Sequence, residues 1–180
     1  VTQKSLHESI GIVQQDVFLF TGTIRENIEY GRLGASFEDI QAAAEKAHLK
    51  QFIEDLPDGY ETQIGERGLK LSGGQKQRTS AARALITNPT IVFADEPTGA
   101  LDSKSATALL EKLEQINKEE AVTIMMVTHD AVAASYCSRV LFLKDGQIFT
   151  ELYRGDQTRK QFFTQILHTQ SILGGDGFEA

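Results

Sequence analysis

Two short apolar runs, each followed at once by polar side chains, most constrain how this 180-residue chain can fold. Residues 91–94 precede Asp95 and Glu96, and residues 122–127 precede a Thr-His-Asp triplet that contains His129. Continuous apolar runs of this length are typical of strands buried on both faces, and helical patterns separate them. The pattern predicts an α/β fold with a largely parallel core sheet, whose carboxyl edge carries these polar residues.

Apolar periodicity and turn residues predict the remaining elements. They indicate a strand at 10–13, a short helix within 21–30, one helix over about 37–52, a helix over 75–85, a helix capped by Ser103, hairpin strands 140–143 and 147–152 around Asp145-Gly146, and a last helix around 162–167. The first half is more helical and more polar, so we interpret it as a helical subdomain beside the sheet.

Charge and cysteine content exclude several classes of protein. The 18 Lys and Arg against 25 Asp and Glu give a net charge of -7, which argues against broad binding to nucleic acid or anionic membranes. The single cysteine, Cys137, excludes an internal disulfide. No run of about 18 apolar residues occurs, so we expect no segment to span a bilayer.

Asp95 and Glu96 are the first candidates for chemistry. A carboxylate at a strand end can hold Mg²⁺, usually through water, and the metal can bridge nucleotide phosphates, which is the role we expect for Asp95. Neighbouring strand side chains alternate in direction, so Glu96 is expected to face elsewhere and to polarise a water as general base. Taken alone, the pair also fits two solvated acids before a proline turn.

A Ser-Gly-Gly segment and a histidine complete the candidate set. Ser72, Gly73 and Gly74 precede a predicted helix, where small residues and the helix dipole favour close approach of a phosphate. The same segment also fits a flexible loop that only caps a helix. His129 can donate to a γ-phosphate oxygen or orient the attacking water. A lone histidine, however, is more often structural.

The ordered set of motifs resembles the ATP-binding cassette (ABC) ATPases. LSGGQKQR resembles their signature motif, and IVFADEPTGALD resembles the Walker B strand that runs into the D-loop. VTHD is similar to the H-loop, and VQQD resembles the Q-loop with Gln15 at the matching position. The motifs follow the family's order and spacing over nearly the whole chain.

The resemblance implies roles for these residues toward ATP and Mg²⁺. Catalysis is expected from Glu96 and His129, metal binding from Asp95 and Gln15, and nucleotide binding from Gln15, Ser72, Gly73, Gly74, Gln75 and Asp102. The signature is expected to act in trans, on ATP held by a second nucleotide-binding domain in a head-to-tail dimer. The implied function is ATP hydrolysis that powers export through a transmembrane domain, at the cytoplasmic face of the plasma membrane.

The resemblance also implies a P-loop NTPase fold, with a RecA-like parallel sheet and a helical subdomain. We expect one nucleotide-binding domain over 1–180: the Q-loop and helical subdomain at 18–85, the core sheet at 86–153 and a helical tail at 154–180. No G-x-x-x-x-G-K-[ST] occurs in these residues, and in the family this loop precedes the Q-loop. We therefore expect an N-terminally truncated domain that lacks the Walker A strand-loop-helix, exposes apolar sheet surface and is inactive alone.

Two branches of the family contribute to the likeness. Exporters with fused membrane domains are resembled by the segment FLFTGTIRENI and by the X-loop-like segment at 65–68. The sequence from about Ser72 onward is instead similar to separate ATPase subunits of the bacitracin-efflux type. A chimera joined near 71–84 and a divergent natural cassette both fit. The hints on cargo conflict between peptide antibiotics and lipophilic compounds. The alternatives in function are a non-catalytic interaction module and a DNA-repair or chromosome-type ATPase.

Overall fold

The computed structural model describes residues 2, 5, 9–65 and 69–175. Its contacts divide the chain into two compact units, Val1–Val127 and Thr128–Ala180. Three residues of the predicted X-loop, 66–68, lie outside the described residues. The finer division at residues 85 and 153 stays a prediction.

The first unit contains five strands, five helices and a short 3₁₀ helix among its described residues. In chain order they are β1 (Ile10–Val13), β2 (Gly22–Thr23), α1 (Ile24–Glu29), α2 (Phe37–Lys46), α3 (Lys50–Glu54), the 3₁₀ helix (Gly59–Glu61), β3 (Gln63–Ile64), α4 (Gly73–Leu85), β4 (Ile91–Asp95), α5 (Ser103–Glu119) and β5 (Thr123–Val127). The second unit contains α6 (Ala131–Ala134), β6 (Arg139–Lys144), β7 (Gln147–Tyr153) and α7 (Arg159–Gly175).

The parallel core sheet is confirmed, with β4 in the centre of the order β1-β4-β5. The inner face buries Val92 and Ala94 in the main core, which the helical segment shares. The other face carries Ile12, Phe93 and Met125 in register, and they are 58%, 38% and 53% exposed. The described residues thus leave an apolar sheet face in contact with solvent, as expected from the sequence.

The helix predicted over 37–52 is wrong, because the chain forms two helices that are broken at His48. His48 has φ 52°, and Leu49 N–H donates to the carbonyl oxygen of Ala44 at 2.8 Å. His48 N–H donates to the carbonyl oxygen of Glu45 at 3.0 Å. These two bonds form the Schellman ending of α2, in which the left-handed residue is usually glycine.

Two helix starts also differ from the predictions. The residue that caps α5 is Asp102 and not Ser103, because Asp102 has extended backbone and accepts from the N–H groups of Lys104 and Ser105. Ser103 is instead the first helical residue. Helix α4 begins at Gly73, two residues earlier than predicted, since Ser72 caps it.

The second unit is an antiparallel hairpin with its own small core. Its predicted turn is confirmed: Asp145 and Gly146, between β6 and β7, both have positive φ, as a type I′ turn requires. Phe142, Phe162 and Ile166 pack together in this core with α6. No helix in the described part of the chain is both long and apolar enough to cross a bilayer.

Candidate functional site

Gln15 and Asp95 lie at the same edge of the parallel sheet. Val13, the last residue of β1, pairs with Ala94 of β4, so both side chains follow closely on the ends of adjacent strands. Both residues are exposed. A Cβ built on Gly99 would lie 3.6 Å from Nε2 of Gln15, which places this side chain against the turn that follows the acids.

Glu96 differs from Asp95 because of its backbone. The strand ends at Asp95, and Glu96 adopts φ 42°, in the left-handed region that non-glycine residues rarely occupy. Its N–H donates to Val127 O at 2.8 Å, and its carbonyl oxygen accepts from Gly99 N–H at 3.0 Å. This left-handed turn, and not strand alternation, gives the half-buried Glu96 its different surroundings. Strained backbone of this kind is concentrated at functional sites.

Ser72 and Gln75 form a capping box at the start of α4. Ser72 Oγ accepts from Gln75 N–H at 3.3 Å, and Gln75 Oε1 accepts from Ser72 N–H at 2.8 Å. Ser72 and Gly73 are exposed at this helix start. The first N–H groups of a helix have no intrahelical acceptor, so this end suits a phosphate group.

The signature glycines also have an intramolecular role that the sequence did not reveal. A Cβ on Gly73 would lie 2.6 Å from the carbonyl oxygen of Ala100, and a Cβ on Gly74 would lie 3.3 Å from Ser105 Oγ. A side chain at Gly73 would therefore push the signature away from the D-loop, and a side chain at Gly74 would crowd Ser105 of α5. These glycines hold the start of α4 against the segment that leads from Glu96 to α5.

Asp102 is fixed by the helix that it caps. Oδ1 accepts from the N–H groups of Lys104 and Ser105, both at 3.0 Å, and Oδ2 accepts from Ser105 Oγ at 2.7 Å. The hydrogen bonds from Ser105 lower the pKa of Asp102. Asp102 is thus an ionised side chain held beside the signature glycines, since Ser105 also contacts the Cβ position of Gly74.

A shallow cleft of about 390 Å³ lies where the segment after β1 meets the start of α4. Gln15, Phe18, Gly73, Lys76 and Ala100 are among the residues that line it. Phe18 is 68% exposed there. The cleft therefore joins the predicted Q-loop, signature and D-loop in one surface.

His129 lies at the start of the second unit and is exposed. Its carbonyl oxygen accepts from Gln170 Nε2 at 3.2 Å. The neighbouring Asp130 caps α6 by accepting from Val132 N–H at 2.8 Å. The role of His129 toward nucleotide stays a prediction.

The oxygen donors at the sheet edge are few but suit Mg²⁺. Within the described residues no group of three or more His, Cys, Asp and Glu is placed to hold a metal ion. Mg²⁺ usually keeps several waters and takes only one or two protein carboxylates together with phosphate oxygens. The Asp95 carboxylate and the Gln15 amide oxygen are a donor set of that kind.

Sequence reasoning missed two polar residues of α4 that support this site. Gln77 is 1% exposed and donates from Nε2 to Gln14 O at 3.1 Å. Arg83 donates from Nη1 to Phe18 O at 2.9 Å. Polar residues in an Ala- and Arg-rich helix look solvated in the sequence. For Gln77 the available signal was its position, four and seven residues before Ala81 and Ala84, on the buried face of the helix.

Known proteins resemble this chain over both of its halves. The family described as ABC transporter matches residues 1–99. The bacitracin export ATP-binding protein BceA of Halalkalibacterium halodurans is 52% identical over 169 residues, which are 91% of this chain and 63% of that protein. The mitochondrial iron-sulfur clusters transporter atm1 of Aspergillus fumigatus is 41% identical over 148 residues, or 82% of this chain and 20% of that protein.

A solved structure gives the same answer for the fold. A bacterial Atm1-family ABC exporter with ATP bound superposes with a TM-score of 0.79 at 38% identity, over 95% of this chain and 30% of that chain. The chain thus spans less than two thirds of the length of each of these relatives. Alignments of 148 and 169 residues must both cross residues 71–84, so neither likeness is confined to one half.

Proposed function

Because this chain belongs to the ABC transporter family, we propose that it is the ATP-binding and ATP-hydrolysing part of an exporter. One observation carries the proposal. Gln15 and Asp95 follow the ends of two adjacent strands, and the signature glycines pack against the D-loop that follows the same acids. A sheet edge that suits a metal ion, a glutamate on strained backbone and a helix N-terminus therefore lie on one compact unit.

Glu96 is the residue to which we assign the general base. Its left-handed backbone separates it from Asp95 and holds it on a turn fixed by Val127 O and Gly99 N–H. There its carboxylate would accept a proton from the water that attacks the γ-phosphate. Asp95 and Gln15 would hold Mg²⁺, which when bound neutralises charge on the phosphate oxygens. His129 would donate a hydrogen bond to the γ-phosphate.

The signature would act on nucleotide held by a second subunit. The exposed Ser72 hydroxyl and the first N–H groups of α4 would donate to its γ-phosphate, and the helix dipole favours the negative charge. Since no G-x-x-x-x-G-K-[ST] occurs in these 180 residues, they supply these groups and not the lysine-bearing phosphate loop. Asp102, held at the adjacent helix start, would contact the partner subunit.

The membrane partner would dock at the cleft that Phe18 lines. An exposed aromatic ring beside a concave surface is suited to a helical segment of a transmembrane domain. The location that we propose is therefore the cytoplasmic face of the plasma membrane. The relative named for bacitracin export supports peptide antibiotics as the first cargo class to test, and lipophilic compounds are the second.

The test is ATP hydrolysis by the full-length gene product carrying Glu96→Gln. We expect turnover to fall by about 10² or more while ATP binding is kept, because only proton acceptance is removed. Glu38→Gln, which changes an exposed carboxylate on α2, is the matched control and should hydrolyse ATP at the wild-type rate. Undiminished hydrolysis in Glu96→Gln would remove the general-base assignment. Absence of hydrolysis in the wild type would favour the non-catalytic interaction module.

A further inference from the structure

Helix α4 is hydrogen-bonded to both ends of residues 14–18, the segment that contains Gln15. Gln77 Nε2 donates to Gln14 O at 3.1 Å, and Arg83 Nη1 donates to Phe18 O at 2.9 Å. The two donors are six residues apart on one helix, and the two acceptors are four residues apart on one segment. Helix α4, which begins at the signature, is therefore hydrogen-bonded to residues 14–18 at two points.

Arg83 makes more contacts than this single bond. Its Nε donates to Asn27 O and its Nη2 to Asn27 Oδ1, both at 2.9 Å. The guanidinium also lies over the ring of Phe20, 5.1 Å from the centroid. Asn27, 1% exposed, in turn exchanges hydrogen bonds with the backbone of Phe20, both at 2.9 Å. The planar guanidinium thus joins α4, α1 and residues 18–20.

A lysine could not replace this arrangement. An ammonium group is a point charge on a flexible stem, whereas the guanidinium presents its donors in a fixed plane that also stacks on an aromatic ring. Burial of Arg83 lowers its pKa, in keeping with a charge that is taken partly out of water. Partly buried, mutually bonded groups of this kind favour a single arrangement of the elements that they join.

We propose that Gln77 and Arg83 are positioning residues that join residues 14–20 to the signature helix, so that the two move as one body. This inference rests on the proposed function, in which Gln15 meets the metal and Ser72 meets the partner's nucleotide. A displacement of residues 14–20, whether by nucleotide or by a membrane partner at Phe18, then reaches Ser72 through α4.

The test compares Arg83→Lys and Gln77→Met with Arg78→Lys in the full-length gene product. Arg78 is the matched control, because it lies on the same helix but donates to Gly74 O and His48 O. The first readout is amide hydrogen exchange. In both test variants the amide hydrogens of residues 14–20 should exchange about tenfold faster than in wild type, because a hydrogen bond that anchors this segment is lost. The exchange rates of β4 should be unchanged. Arg78→Lys should not accelerate the exchange of residues 14–20.

The second readout is ATP hydrolysis with and without the membrane partner. The test variants should keep the KM for ATP within about threefold but lose most of the partner-dependent rise in kcat, because binding groups remain and their coupling is removed. Wild-type exchange and stimulation in both test variants would overturn the proposal, as would faster exchange spread equally over β4. Hydrolysis absent from the wild type would refute the proposed function, while the exchange readout would still decide whether the anchors join the two elements.

Discussion

His48 combines two unfavourable features in one residue. It takes the left-handed conformation, φ 52°, at the Schellman ending of α2, where glycine or asparagine is favoured. His48 is exposed, but the protein around it partly desolvates the ring and lowers its pKa below the ordinary 6.5; the positive charges of Lys112 and Arg78 add to this, while Glu111 opposes it. Arg78 also donates to the carbonyl oxygen of His48 at 3.3 Å. Protonation of this side chain therefore opposes folding.

The expected consequence is a loss of stability as the pH falls. Because the pKa of His48 is lowered in the folded state, the unfolded chain binds the proton more readily once the pH falls below 6.5. The stability that is present above this pH is therefore lost as the pH falls through the folded-state pKa. His48→Asn keeps a residue that tolerates the left-handed region and cannot titrate. Urea midpoints at pH 7.5 and 5.5 should differ less for His48→Asn than for wild type. An equal difference in both proteins would contradict this assignment.

At the scale of single residues, the sequence identified chemical type better than conformation. Asp95 and Glu96 could be placed at a strand end because an apolar run stops there. The left-handed backbone of Glu96 could not be predicted, because a non-glycine residue gives no signal in the sequence for this conformation. Asp102 could be selected through its resemblance to the D-loop, but its three hydrogen bonds at the start of α5 depend on backbone geometry.

Helix α4 organises the first unit, and Gly31 shows how closely its neighbours approach it. A Cβ on Gly31 would collide with the carbonyl oxygen of Arg83 and would lie 2.8 Å from Ile86 Cγ2. The turn after α1 is thus packed against the end of α4 without room for a methyl group. This contact holds the same elements that Arg83 joins.

Gly31→Ala should therefore lower the free energy of unfolding by about 1–3 kcal/mol, because overpacking forces the turn or the helix to shift. Gly34→Ala is a useful control: nothing lies within 4 Å of its Cβ position, and φ 78° is its only obstacle. Chemical denaturation of the two variants measures the difference. A smaller loss for Gly31→Ala than for Gly34→Ala would show that the contact with α4 is looser than the structure indicates.

At the scale of elements, the three core strands and the hairpin could be predicted because apolar runs and an Asp-Gly turn are local signals. The two-residue strands β2 and β3 could not, since they carry no such run. The break at His48 could not, since its usual glycine is absent. The tight contacts of Gly73 and Gly74 with Ala100 and Ser105 also escaped prediction, because they join residues about 30 positions apart. Contacts between distant residues cannot be predicted from a single sequence unless resemblance to a known family indicates them.

At the scale of the whole molecule, the motif order predicted the family, and the sheet and helices confirm its fold. The site itself needs two copies in this account. We propose that the carboxylates of one copy act on the nucleotide that this copy binds, and that the signature of the other copy completes the same site. Because Ser72 lies at an exposed helix start, it would be accessible to a partner subunit.

Mixing two inactive variants of the full-length gene product tests that central claim most directly. Ser72→Arg should disable the donated signature, and Glu96→Gln should disable the acceptor of the water proton. In a mixed symmetric dimer one of the two sites keeps both groups, so the mixture should recover about a quarter of the wild-type ATP hydrolysis. If the mixture stays as inactive as either variant alone, the signature acts within its own subunit, and the account of this site is contradicted.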